Sequence, residues 1–83
     1  MKVRIHPHAI ERMKERGAMK KEVLETVQEG EAFQVKFGRI GFRRNFLFRG
    51  KWRGRMYKTK QLEVYGVKEE GDFVAITVLV KYF

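Results

Sequence analysis

Gly30 divides the chain into two kinds of hydrophobic pattern. Before it, apolar residues recur at helical spacing; after it, they alternate with polar ones. Pro7 suits the first position of a helix, where its missing N–H costs nothing. The pattern predicts a helix over 7–16, with Ile10, Met13 and Gly17 at helical spacing and Gly17 as its stop. A second helix is predicted from about Lys20 to Glu29, burying Val23, Leu24 and Val27 and ending at Gly30. The joint between them is short, so a helical hairpin is expected. Lys2 to Ile5 reads as a short strand ahead of both helices.

The second part reads as strands. Phe33, Val35 and Phe37 share one face, and a turn at Gly38 to Gly41 leads into Phe42 to Phe48, with Phe46 and Phe48 together. Residues 49–54 form a glycine-flanked basic loop or hairpin tip. The next strand has Leu62 and Val64 on one face and Tyr57, Glu63 and Tyr65 on the other. Lys68 to Asp72 is a turn. The last strand, Phe73 to Tyr82, places Val74, Ile76, Val78 and Val80 on one face and is expected inside the sheet. Two helices followed by paired strands predict an α+β domain over 1–83. The helical hairpin covers one face of an antiparallel sheet of about four strands. The other face, with its bases and tyrosines, is left for function.

Composition narrows this picture. Cysteine is absent, so no disulfide or thiolate metal site supports a core this small. Packing must do so, and 43% apolar residues with seven Phe make that feasible. The lack of Cys fits a cytoplasmic setting. No apolar run approaches the roughly 18 residues of a membrane span, and Met1 to Arg4 lacks the apolar core of a signal peptide.

Charge changes the picture most. The formal net charge is +9, and between Glu31 and Glu63 there is no acidic residue. That interval holds ten bases: Lys36, Arg39, Arg43, Arg44, Arg49, Lys51, Arg53, Arg55, Lys58 and Lys60. Ten bases without a counter-charge repel one another unless a partner neutralises them. A polyanion fits, since binding it releases condensed counterions. A membrane surface is not expected, because it calls for an amphipathic helix with a basic face, and here the bases alternate with aromatics in strand-like runs. The RNA-binding candidates are Arg39, Arg43, Arg44, Arg49, Lys51, Trp52, Arg53, Arg55, Lys58 and Lys60.

His8, Arg12 and Arg16 fall at i, i+4 and i+8 and stack along one helical stripe. Glu11 and Glu15 lie within reach of the arginines, so an ordinary charged face remains an alternative. His8, in the first helical turn with Arg12 beyond it, is expected to lean neutral, as a general base must. Capping or packing at the helix start is its other reading. The chain contains no serine and no cysteine, which excludes those covalent nucleophiles. Neither a metal nor a cofactor is expected. Cleaving RNA requires only that the 2′-hydroxyl be oriented, a proton moved and phosphate charge stabilised, which Arg, Lys, Tyr and His can do. Trp52, Tyr57, Tyr65 and Tyr82 are candidates for base stacking.

The run His8-Ala9-x-x-Arg12-Met13-x-x-Arg16-Gly17, followed by a Glu-bearing second helix, resembles a family of small domains with an H-A-x-x-R-M-x-x-R-G signature. That family is grouped near the RelE/ParE toxin superfamily. Leu62-Glu63-Val64-Tyr65, Gly71-Asp72 and Val74 to Val78 resemble its closing hairpin. The resemblance implies a RelE-like fold and a toxin's biology: cleavage of mRNA on the ribosome or, in ParE-like relatives, inhibition of DNA gyrase. It implies an acidic antitoxin as partner. It marks His8, Arg12 and Arg16, and adds Tyr82 as an aromatic at the site. The chain departs from the pattern at Met19, where the family has Ser or a similar cap, so helix 2 is expected to rely on packing. Three readings follow: an RNA-binding toxin-like protein acting as a metal-independent mRNA endoribonuclease, a non-catalytic nucleic-acid-binding module, and a ParE-like gyrase inhibitor.

Overall fold

The computed structural model describes Lys2 to Phe83; Met1, the first residue of the expected domain, lies outside the described residues. In chain order the elements are β1 (Val3–Ile5), α1 (Pro7–Arg16), α2 (Lys20–Glu29), β2 (Glu31–Gln34), β3 (Ile40–Trp52), β4 (Arg55–Glu69) and β5 (Asp72–Tyr82). The strands form one sheet in the order β1-β5-β4-β3-β2. The architecture is α+β in two layers, as the change of period predicts. The helices do not pair chiefly with each other as a hairpin would: α1 lies over β5, and α2 over β3 and β4.

Local chemistry sets the helix ends. At the start of α1 the His6 imidazole caps the helix, its Nδ1 accepting from the His8 N–H at 3.1 Å. Gly17 ends α1 at φ 78°, a left-handed conformation that glycine adopts without strain. No β-carbon fits there either, since one would lie 2.7 Å from the Trp52 ring and from the Tyr82 hydroxyl. The start of α2 corrects an expectation: Glu22 reaches back so that its Oε1 accepts from the Met19 N–H at 2.9 Å. The third helical residue thus supplies half of a capping box where the cap residue itself has no hydroxyl.

The core lies between the layers. Ala9 and Met13 of α1 and Val23 and Val27 of α2 meet Leu62 and Val64 of β4 and Phe73, Ala75 and Val78 of β5. Leu24 is half-buried, and Ile10 is exposed beside the core. Two turns on the sheet are two-residue loops with positive φ at both positions, Glu70-Gly71 (54° and 85°) and Arg53-Gly54 (50° and 84°). That geometry matches the twist of the strands it joins.

Three strand expectations need correcting. The sheet has five strands and is mixed, because β1 pairs parallel with β5 through Val3–Phe73 and Ile5–Ala75. The His6 N–H, just before α1, continues this pairing by donating to the Ala75 carbonyl at 2.9 Å, and α1 packs over the same strand. The apolar face of β5 also changes phase. The register slips at Ile76, which has no partner on β4 between Tyr65–Thr77 and Gly66–Ala75. Phe73 and Ala75 therefore face the helices before this bulge, and Val78 does after it. Finally, β2 ends at Gln34. The Val35 N–H donates to the Arg39 carbonyl at 3.2 Å and closes a turn in which Phe37 (φ 64°) is 93% exposed.

Gly66 sits where β5 bulges, and a methyl there would overlap the Val74 carbonyl oxygen and approach the Phe73 ring. Gly66→Ala should lower stability by about 2 kcal/mol or more, read as a shift of the urea midpoint; an unchanged midpoint would contradict this packing.

Candidate nucleic-acid interface

The β3–β4 pair outruns the rest of the sheet. Its last neighbour is Phe83, whose N–H and carbonyl both bond to Thr59, at 3.0 and 2.7 Å. Residues 47–58 continue as a two-stranded ribbon, and the molecule is accordingly long, 41 × 23 × 22 Å. A bulge between Leu47 and Gly50, with Arg49 at φ 46°, bends this arm. Its far part folds back onto the C-terminal end of α1. Trp52 stacks on Tyr82 with centroids 4.9 Å apart, and Phe48 and Tyr57 approach the same ring at 5.2 and 5.7 Å. The Arg53 guanidinium donates to the Glu15 carbonyl at 3.2 Å and lies over the Trp52 ring.

The ten bases of the acid-free interval do not form one surface. Lys60 is 5% exposed, and its Nζ donates to Glu22 Oε1 at 2.7 Å and to the Gly17 carbonyl at 2.5 Å. It faces the Phe48 and Tyr82 rings and is spent inside the protein. Arg43 pairs with Glu63 at 2.6 Å and lies over Phe33, and Arg44 pairs with Glu29 at 3.4 Å. Lys36 and Arg39 belong to the β2–β3 turn, at the opposite end of β3 from the arm. The other five, Arg49, Lys51, Arg53, Arg55 and Lys58, lie on the arm, all exposed and none in an ion pair among the described residues. Opposite charges cancel where acids from outside the interval come alongside, Glu22 and Glu29 from α2 and Glu63 from the pairing of β3 with β4. The arm has no such neighbour.

The open face of the sheet, expected to carry the function, is interlocked instead. Glu63 is buried there between Arg43 and the Tyr65 hydroxyl, which donates to it at 3.2 Å. Burial pushes its carboxyl up, but hydrogen bonds from Arg43 and Tyr65, with the charges of Arg43 and Lys81, outweigh this and hold it below the usual range. Tyr65 is pushed up by burial and by the charge and hydrogen bond of Glu63.

The four residues marked for catalysis do not converge. His8 is exposed, and its ring stacks on His6 with centroids 5.3 Å apart. Arg12 pairs with Glu15 at 3.2 Å. The Arg16 guanidinium donates to the Val78 carbonyl at 2.7 Å, beyond the last β5 residue that β1 pairs. The Tyr82 hydroxyl donates to the Arg16 carbonyl at 2.9 Å. Burial first, and then the charge of Glu22, raise the Tyr82 phenol, which favours this donor role over that of a base. His8 and the Tyr82 hydroxyl thus mark opposite ends of α1, about 12 Å apart at the rise of an α-helix. One phosphate cannot meet both. Among the described residues no three His, Asp or Glu side chains gather as a metal site needs, and no helix is long and apolar enough to cross a membrane.

Sequence reasoning missed Leu47 and Met56, two apolar residues left exposed on the arm. Their interruption of a basic run is visible in the chain, but only the bulge shows that they stay uncovered. Comparison with protein-family models, curated proteins and solved structures found no match to this chain.

Two outcomes test this arrangement. Lys60→Met strands the Glu22 carboxylate and the Gly17 carbonyl and should cost about 3–5 kcal/mol of stability, whereas Lys58→Met, on the exposed arm, should leave the urea midpoint nearly unchanged. Glu63, lowered in the folded state, contributes stability that is present above its unfolded value of about 4.3 and lost as pH falls through the folded value. The stability gap between wild type and Glu63→Gln should therefore be widest near neutrality and close in acid; a gap constant with pH would contradict the pairing.

Proposed function

We propose that this protein binds RNA, with the β3–β4 arm as the part that grips the phosphate backbone. The observation that carries this reading is the run of five exposed bases, Arg49, Lys51, Arg53, Arg55 and Lys58, with no ion pair among the described residues. Such a cluster attracts phosphates and releases their counterions on binding. Stacking of Trp52 on Tyr82 fixes the arm to the body, so the cluster is presented without the ordering cost of a loose loop. The guanidinium groups add paired donors suited to phosphate oxygens.

RNA is the preferred polyanion because of the H-A-x-x-R-M-x-x-R-G signature, and on the same ground an acidic antitoxin is the protein partner this reading anticipates. The geometry favours binding over cleavage. Arg16 and Tyr82 are engaged with main-chain carbonyls, and His8 stands alone at the far end of α1. The function supported best is therefore that of a non-catalytic RNA-binding module on a toxin-like scaffold.

The test is the salt dependence of binding to a short labelled RNA, followed by fluorescence anisotropy. Arg53 already donates to the Glu15 carbonyl, so four phosphate contacts, from Arg49, Lys51, Arg55 and Lys58, predict that log K falls with log salt at a slope of about −3 for a single strand. Lys51→Ala with Arg55→Ala should reduce that slope to about −1.5. A flat response, or a variant that binds as wild type does, would remove the arm from the proposal.

A further inference from the structure

The arm carries more than charge. Leu47, Arg49, Met56, Tyr57 and Lys58 surround a concavity of about 510 Å³, within the ~300–1,000 Å³ range of small-molecule sites. Leu47 is 74% exposed and Met56 67%. On the same ribbon Phe48 and Trp52 are packed onto Tyr82, so the arm has an apolar interior to which these two residues do not contribute. They form the apolar part of the hollow instead. Tyr57 adds an aromatic ring at the edge of the Tyr82 cluster, and Arg49 and Lys58 set two cations beside it. Arg49 holds a left-handed conformation, φ 46°, that a non-glycine side chain adopts at a cost. Strain of this kind gathers at functional positions.

We infer that this hollow takes one unpaired nucleobase, so that the RNA held by the arm is single-stranded. The inference rests on the RNA-binding reading above and names the form of its ligand. A nucleobase has two apolar faces and a phosphate on either side along its strand. An apolar hollow with an aromatic ring and two flanking cations complements both parts of that unit. In a duplex the base faces are stacked on one another, so none is free to enter the hollow and the arm meets only the backbone and the groove edges. An anionic membrane also joins apolar and negative groups, but the bulged ribbon offers it two apolar side chains in a hollow and no continuous apolar face.

The experiment compares wild type with the Leu47→Ala, Met56→Ala double variant. Both residues are exposed, and thermal unfolding confirms that the variant is folded. The probes are a short labelled single-stranded RNA, the same strand in a full duplex, and vesicles containing phosphatidylserine. Wild type should bind the single strand about tenfold or more tightly than the duplex at equal salt. The variant should lose that preference while holding the duplex as wild type does. Equal binding of both RNAs by wild type, or a preference that survives in the variant, overturns the base pocket and leaves the backbone-binding reading standing. Absence of any RNA binding overturns both. Vesicle binding that weakens in the variant, without a preference for the single strand, assigns the apolar pair to lipid and overturns the pocket.

Discussion

The Lys60 ammonium holds the two layers together at one point. It rises from β4 into the interior and bonds at once to the Gly17 carbonyl, where α1 ends, and to Glu22, in the first turn of α2. Glu22 in turn accepts from the Met19 N–H. One side chain thereby ties the end of one helix, the start of the next and the central strand. A buried charge is costly unless its partners satisfy it. Here a carboxylate and a carbonyl do so, with two aromatic rings alongside. The short α1–α2 joint is held in place although α2 begins with two lysines and a residue without a capping hydroxyl.

The arm depends on the same corner. Tyr82 lies beside Lys60, and its ring receives Trp52, Phe48 and Tyr57 while its hydroxyl closes on α1. Most of the arm's aromatic content thus serves as an anchor. The remaining side chains are bases, together with Leu47 and Met56. This division explains how a two-stranded ribbon, marginal in isolation, is held against the body while still exposing its charge.

Local chemistry made much of the fold legible. Pro7, Gly17 and Gly30 mark the helix ends, Gly54 and Gly71 mark the two tight turns, and Leu62 and Val64 against Glu63 and Tyr65 gave the right faces for that part of β4. Tyr57, expected on the face of Glu63, turns instead to the Tyr82 ring beside α1. What was hidden depends on partners distant in sequence. Nothing in Phe73 to Val80 signals that one residue is left out of register at Ile76. The partner of β1 lies at the other end of the chain. The candidate site was half legible for the same reason. An acid-free interval identifies an excess of charge, but Glu22, Glu29 and Glu63 come from outside it and cancel three of its bases. Lys60 reads in the chain like any other lysine of the run, and only tertiary packing makes it a structural cation.

The parallel pairing of β1 with β5 carries a consequence for how the chain is made. During synthesis the first strand and α1 emerge early, yet the surface that covers Ala9 and Met13 comes from the last strand. Contacts between distant parts of a chain are slow to form, because a long loop must close first. β1 and α1 must wait, their apolar side uncovered, until β5 has been made, whereas α2 packs on β3 and β4. Docking of β1 and α1 therefore follows the synthesis of β5 and cannot proceed helix by helix as the chain emerges.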